Sequence, residues 1–315
     1  MEKSLTFNIH TRLKGTLART GEIITPHGII KTPAYIAGGT NATVKALTPE
    51  QILSTGAQGV LANTYHLMLR PTADIIQKAG GIHKFMNWHK PILTDSGGYQ
   101  VFSLSDSRKM SEEGVKFKSG GFQVFSLGMA YKKGIDATSH TEKGSSKLAQ
   151  HSKDQLAKVS EDGVWFKSHI SGEKIFMSPE ISMELQHKIG ADIHMAFDEL
   201  TSPLAGREQI ISALNKTHKW AERCLECHNK LNHQHLVKNE PLQSLFAVVQ
   251  GAREEDLRRK SASFLGSKDF DGYGIGGVFQ PEEIPEVLTW VNTSLPENKP
   301  RHLLGMGAQP ADLFL

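Results

Sequence analysis

With two cysteines in 315 residues the chain has no disulfide framework, and so sparse a use of thiols points to a reducing, cytoplasmic compartment. No apolar run approaches the roughly 18 residues a membrane span needs, and the opening Met1-Glu2-Lys3-Ser4-Leu5-Thr6 lacks the apolar core of a signal peptide. Neither sign of charge dominates: a net charge of +3 fits an RNA partner without demanding one. The dinucleotide fingerprint is also missing. Gly274-Ile275-Gly276-Gly277 has neither the six-residue glycine spacing nor the acid downstream. Cys224-Leu225-Glu226-Cys227-His228 has the spacing of half a zinc site, but no second cysteine pair exists to complete it. The motif is read as structural, and no metal site is predicted. The length that remains suffices for one large α/β domain or two ordinary ones.

Residues 5–31 alternate short polar and apolar pieces around Gly15, Gly21, Pro26 and Gly28, which predicts an antiparallel hairpin segment. Short apolar runs then alternate with helical stretches. Expected strands are Ala34–Ile36, Val60–Ala62, Ile92–Thr94, Ile193–Phe197, Phe246–Val249, Gly272–Ile275 and Leu303–Gly305. Thr48-Pro49-Glu50-Gln51 reads as a capping box, and Ser178-Pro179-Glu180 and Ser202-Pro203 as two more helix starts. The second of these opens a long amphipathic stretch towards His228. Such alternation predicts parallel βα units. Asn63, Asp95, Asp198, Gln250 and Gly276 follow five of the strands, and a (β/α)8 barrel gathers that end of its strands into one face. A doubly wound open sheet is the competing architecture.

The richest stretch is Asp95-Ser96-Gly97-Gly98-Tyr99-Gln100-Val101-Phe102. It places an acid at a strand end, two glycines that let backbone approach a ligand, and a flat aromatic face. A strand-to-turn corner with a core aromatic is the plainer reading. The motif is partly duplicated. Ser96-Gly97-Gly98-Tyr99-Gln100 recurs as Ser119-Gly120-Gly121-Phe122-Gln123, and Ser111-Glu112-Glu113-Gly114-Val115 recurs as Ser160-Glu161-Asp162-Gly163-Val164. Lys118 stands where the first copy has Asp95, so only the first copy supplies the acid. Residues 129–158, rich in Lys, Ser, His and Gln, read as a surface loop.

Together with Gly59-Val60-Leu61-Ala62-Asn63-Thr64-Tyr65-His66-Leu67-Met68-Leu69-Arg70-Pro71, Ala196-Phe197-Asp198-Glu199, Val249-Gln250-Gly251, Tyr273-Gly274-Ile275-Gly276-Gly277 and Leu303-Leu304-Gly305-Met306-Gly307, this motif resembles the tRNA-guanine transglycosylases, or queuine tRNA-ribosyltransferases. The resemblance runs over most of the chain in the family's order. It implies a single elaborated (β/α)8 TIM-barrel-like domain over 1–315. Residues 120–168 then read as an inserted, duplicated segment, because their removal restores the family's continuous pattern.

Similar enzymes exchange guanine at the tRNA wobble position for a 7-deazaguanine in the queuosine pathway, through a covalent enzyme–RNA intermediate. By this resemblance Asp95 handles the proton of the departing or arriving base. Ser96, Gly97 and Gly98 approach the substrate, and Tyr99 stacks on the base. Asp198 accepts from its donor edge, and Gln250, Gly276 and Gly277 donate to its O6. Leu304 or Met306 lies on the other ring face; Asn63 and Thr64 stand behind the first contacts. The implied partners are tRNA, a guanine or 7-deazaguanine base and, as is common in the family, a second copy in a homodimer. The family's nucleophilic aspartate, eighth strand and zinc site of three cysteines and a histidine have no counterpart in this sequence, so an incomplete barrel is expected. The nucleophile is therefore unassigned, and zinc belongs to the resemblance alone. A catalytically inactive tRNA- or base-binding fragment or partner subunit is the alternative. Arg253, Arg258, Arg259 and Lys260 are candidate phosphate contacts or plain solvated charges, and His233-Gln234-His235 reads as a solvated linker.

Overall fold

In the computed structural model residues 4–105, 108–111, 114–117, 157–277, 279 and 281–305 are described. The alternating N-terminal residues form an antiparallel meander of β1 (Thr6–Arg12), β2 (Arg19–Thr25) and β3 (Gly28–Thr32). Next come three mutually parallel strands, β4 (Ala37–Gly38), β5 (Val60–Asn63) and β6 (Ile92–Asp95). A hairpin of β7 (Arg108–Ser111) and β8 (Gly114–Phe117) follows, then an antiparallel sheet of β9 (Ala157–Val159), β10 (Val164–Lys167) and β11 (Lys174–Met177). The parallel sheet resumes with β12 (Ile193–Met195), β13 (Ser244–Val249), β14 (Gly272–Ile275) and β15 (Arg301–Leu303).

Its strand order is β4-β5-β6-β12-β13-β14-β15, which is chain order throughout. A doubly wound sheet reverses direction at a switch point. This one winds a single way, as a TIM-like barrel does, and forms a curled parallel half-barrel of seven strands.

Side-chain alternation sorts the core into two layers. Leu93, Ile193, Met195, Phe246 and Val248 face one side of the sheet, where Leu5, Ile23 and Ile30 of the meander pack on them. Leu245, Ala247, Val249, Tyr273 and Ile275 face the other, among apolar residues of the helices Pro179–Ile189, Arg207–Val237, Glu255–Gly266 and Ile284–Asn292.

The capping box at Thr48 and Gln51 forms with both hydrogen bonds, and Ser178 caps the helix from Pro179. β15 is Arg301–Leu303 rather than the expected Leu303–Gly305, and three further expectations shift. The first parallel strand is Ala37–Gly38 rather than Ala34–Ile36: Ala37 pairs with Val60 and Gly38 with Leu61, a Cβ on the following Gly39 would strike Val60, and Tyr35 points to solvent. The long helix starts at Arg207, not at Ser202-Pro203. Ser202 instead caps a turn through its bond from the Leu204 amide, and Gly206 takes the N-cap. Third, His233-Gln234-His235 is not a linker: the helix runs on to Val237 because no glycine or proline interrupts it.

Both copies of the Ser-Glu-(Glu/Asp)-Gly-Val motif link antiparallel strands, Ser111–Val115 between β7 and β8 and Ser160–Val164 between β9 and β10. The first Ser-Gly-Gly copy leads into the helix Gly98–Ser105, and the second Ser-Glu-Asp-Gly-Val copy leads into β10, which buries Val164 and Phe166. Residues 157–168, within the stretch expected as an insertion, thus belong to a sheet packed beside that helix. Residues 118–156, with Lys118, the second Ser-Gly-Gly copy and most of the expected loop over 129–158, lie outside the described residues.

Candidate active site

Asp95 closes β6, and its register partner on β5 is Asn63. Asn63 is held from two sides. Its Oδ1 accepts from the His66 amide at 3.3 Å, capping the helix Thr64–Leu69, and its Nδ2 donates to Asp95 Oδ2 at 2.8 Å. Burial raises the Asp95 carboxyl to about 6, although the Gly97 and Ser96 amides and Asn63 all donate to its charged form. Glycine at 97 has a steric reason. Its φ is +83°, and a Cβ there would lie 2.7 Å from both Cβ and N of Tyr65.

Ser96 links the two acids. Its hydroxyl donates to Asp198 Oδ1 at 3.5 Å and accepts from the Gly98 amide at 3.3 Å. Asp198 follows β12 and is 8% exposed. Gln250, the first residue after β13, donates Nε2 to Asp198 Oδ2 at 2.6 Å. Burial is the main reason the Asp198 carboxyl rises to about 7. The negative charge of Asp95 adds to it, against the donors Gln250 and Ser96. Two carboxyls that cannot comfortably both ionise thus face each other across Ser96 at the carboxyl ends of adjacent parallel strands.

Gly276 presses on this group, since a Cβ on it would come within 2.6 Å of Gln250 Nε2. Gly277 adjoins a cavity of about 160 Å³ lined also by Leu200, Pro203, Ile210, Gln250 and Ala252. That is below the roughly 300–1,000 Å³ of drug-sized ligand sites, and Arg253 and Glu254 add charge to its lining. Tyr99 is part-buried in the first turn of Gly98–Ser105. Leu304 packs with the inner layer, 2.9 Å from where a Gly274 Cβ would stand; Met306 lies outside the described residues. Thr64 is buried behind Asn63.

Arg258 has a part in the site that its place in a basic run conceals. It is fully buried, and burial lowers its pKa to about 9. Nη1 donates to the Val249 carbonyl at 2.9 Å and Nε to the Ala252 carbonyl at 2.8 Å, so Arg258 braces the turn that carries Gln250. Its guanidinium lies 4.7 Å over the Phe279 ring, and a Cβ on Gly277 would be 2.5 Å from Nη2. The only signal in the sequence is an arginine at the fourth position of the helix after Gln250-Gly251. Arg253 and Arg259 pair with Glu283 and Glu255, and Lys260 reaches Asn215.

Cys224 accepts from the Phe197 amide at 3.3 Å and lies 3.8 Å from the Pro179 carbonyl, and burial pushes its thiol up. Cys227 contacts the Glu180 carbonyl at 3.9 Å. A zinc site of three thiolates and an imidazole does not fit a sequence with two cysteines, both packed this way, and no chemistry is routed through it.

The fold is that of a TIM-barrel-like α/β protein, and paired carboxyls and an amide gather at the carboxyl ends of its strands. The chain belongs to the queuine tRNA-ribosyltransferase family: the family model matches residues 14–127 and 118–315, two matches that overlap across the second Ser-Gly-Gly copy. It is 41% identical over 308 residues to the queuine tRNA-ribosyltransferase of Halalkalibacterium halodurans, covering 97% of this chain and 66% of that protein. To the Enterococcus faecalis protein of the same name it is 41% identical over 310 residues, covering 98% and 66%. The corresponding Shouchella clausii protein is 40% identical over 311 residues, covering 98% and 67%. The chain thus spans about two thirds of the length of these relatives.

Proposed function

We propose that the chain is a tRNA-guanine transglycosylase, exchanging guanine at the wobble position of a tRNA for a 7-deazaguanine. The observation that carries this reading is the coupled pair Asp95 and Asp198, with carboxyls raised to about 6 and about 7, beside the amide of Gln250. A guanine edge offers donors at N1 and the exocyclic amine next to an acceptor at O6. Of the two acids Asp95, with the lower pKa, ionises first. The N1 and amine donors of a bound guanine favour ionised Asp198, whose charge in turn favours protonated Asp95. Gln250 and the backbone at Gly276 and Gly277 donate to O6. Gln250 Nε2 donates to Asp198 Oδ2 at 2.6 Å, which sets its amide beside the acid that meets the base. Tyr99 stacks on the ring, and Leu304 or Met306 covers the opposite face.

In the exchange a carboxylate nucleophile, which we leave unassigned, forms a bond to ribose C1′ as the glycosidic bond to guanine N9 breaks. The electron pair departs with guanine, and protonated Asp95 supplies the proton that neutralises it. The incoming base then loses its N9 proton to Asp95, attacks C1′ and releases the nucleophile. Asp95 is suited to both steps because its pKa lies close to the working pH, where proton transfer contributes roughly 10²–10⁴-fold.

A base-binding subunit without chemistry is the second reading. The recognition edge of Asp198, Gln250 and Gly276 would suffice for that function. Labelled guanine offered to the 315-residue chain with a tRNA bearing guanine at the wobble position decides between them. Incorporation that Asp95→Asn abolishes supports exchange. Guanine binding by folded protein, without incorporation, supports the subunit.

A further inference from the structure

Behind the sheet, three histidines converge. His194 is the middle residue of β12, and because Ile193 and Met195 face the inner layer its ring is delivered to the helix side. There the helix Pro179–Ile189 presents His187 and the helix Arg207–Val237 presents His228. Their exposures are 6%, 0% and 3% for His187, His194 and His228. Ring centroids are 4.9 Å apart for His187–His228, 5.0 Å for His187–His194 and 6.0 Å for His194–His228. His187 Nε2 and His228 Nδ1 are 3.0 Å apart, and one donor atom from each of the three rings lies within 4.8 Å of the others.

Packing alone accounts poorly for this arrangement. Buried polar atoms are normally hydrogen-bonded, yet His187 Nδ1 and both ring nitrogens of His194 lack a bonded partner. A neutral imidazole keeps a lone pair on one of its two ring nitrogens, so each ring can offer one ligand atom to the shared space. The outer sides are furnished differently. The Ala191 carbonyl faces His194, and the Gln243 carbonyl and the Asn232 amide face His228. Asn232 donates to His228 Nε2, so the His228 proton sits on Nδ1 against His187 Nε2. An ion between those two nitrogens would shift it to Nε2, where the Gln243 carbonyl accepts it. The His235 ring stacks on His187 at 5.2 Å and closes one side.

We propose that His187, His194 and His228 bind a divalent first-row transition cation, with Zn²⁺ the best match, and so tie β12 to two helices. Neutral imidazoles suit Zn²⁺, Cu²⁺ and Ni²⁺ and not Mg²⁺ or Ca²⁺. Zn–N bonds of about 2.0–2.1 Å put neighbouring ligand atoms of a tetrahedral site about 3.3 Å apart. The His187–His228 pair is already near that spacing, and a swing of the His194 ring closes the third side. This site uses no cysteine and lies apart from Asp95 and Asp198 in the groups it employs. It stands whether or not the exchange reading does.

The test uses the full 315-residue chain, stripped with a chelator and titrated with Zn²⁺ by calorimetry. Metal content is read by mass spectrometry, and Tm with and without the ion. We expect one ion per chain and a Tm that rises by several degrees on loading. His194→Gln and His187→Gln should each lose more affinity than the roughly 10–100-fold that an outer partner costs, with the metal-free Tm little changed. Folded wild type that binds no stoichiometric ion overturns the proposal. So does binding that survives both substitutions, or that is lost with Cys227→Ser instead. Should a variant fail to fold, Cu²⁺-loaded wild type answers the question: imidazole nitrogen couplings in its paramagnetic resonance spectrum support the site, and their absence rejects it.

Discussion

Gln250 donates its side-chain amide to Asp198 at 2.6 Å, joining the residue that follows β13 to the acid beyond β12. The bond spans the floor of the candidate base site, so removing either partner should be read in base affinity before anything else. We expect Asp198→Ala to weaken guanine binding by at least about tenfold, since hydrogen bonds to a charged group contribute ~1.5–3 kcal/mol. Gln250→Ala should weaken it less, because backbone donors at Gly276 and Gly277 remain. Calorimetric titration with guanine checks both, and unchanged affinity in Asp198→Ala would remove that residue from the base edge.

The two raised carboxyls make stability depend on pH in a defined direction. A carboxyl whose folded pKa exceeds its unfolded value stabilises the fold below the unfolded pKa, near 4, and that contribution is lost as pH rises through the folded value. For Asp95 and Asp198 the window runs from about pH 4 to about 6 and about 7. Asp198→Asn should therefore raise Tm at pH 8 and leave it nearly unchanged at pH 4. The gain is on the order of 4 kcal/mol at most. Equal shifts at both pH values would contradict the burial of this charge.

Asp192 carries the opposite sign. It accepts from His27 Nδ1 at 2.8 Å, His83 Nε2 at 3.0 Å and the Ile92 amide at 2.8 Å. These partners outweigh the cost of burial and hold its pKa well below the ordinary carboxylate range. Its contribution is full above about pH 4 and lost only as the medium becomes strongly acid. Asp192→Asn should cost about 3 kcal/mol at pH 7, as breaking a buried polar pair does. Proteolysis should then begin at the turn around His27, and an unchanged melting curve would refute the role.

Gly97 and Gly172 offer a matched pair of substitutions. Both have positive φ, +83° and +74°, but only Gly97 has a neighbour within reach, Tyr65 at 2.7 Å. Gly172→Ala should cost about 1 kcal/mol for its backbone alone. Gly97→Ala should cost roughly 1–3 kcal/mol more from the clash and also displace the Asp95 turn. Tm measures the first effect and guanine affinity the second. Equal losses in Tm would show that the contact with Tyr65 is not rigid.

Local chemistry made much of this protein legible in its sequence. The capping box at Thr48-Pro49-Glu50-Gln51, the serine cap at Ser178 and the polar residues after apolar runs all depend on neighbours within a few positions. Asp95, Asp198 and Gln250 were visible for that reason, each following its own strand. What could not be read were relationships between distant segments. Nothing near Arg258 in the chain says that it is buried beneath Val249 and Ala252 rather than solvated. Nor could the duplicated motif reveal that Val164 and Phe166 of its second copy are buried, with Phe166 packed on Tyr65, because that contact joins segments about a hundred residues apart. His187, His194 and His228 lie on three elements, and their convergence exists only once β12 is sandwiched against two helices. The sequence by itself determined the strand–helix alternation and the acids at strand ends. The tertiary structure alone decided which of these groups share a charge, a hydrogen bond or a buried space, since burial and Coulomb coupling depend on distance through space and not along the chain.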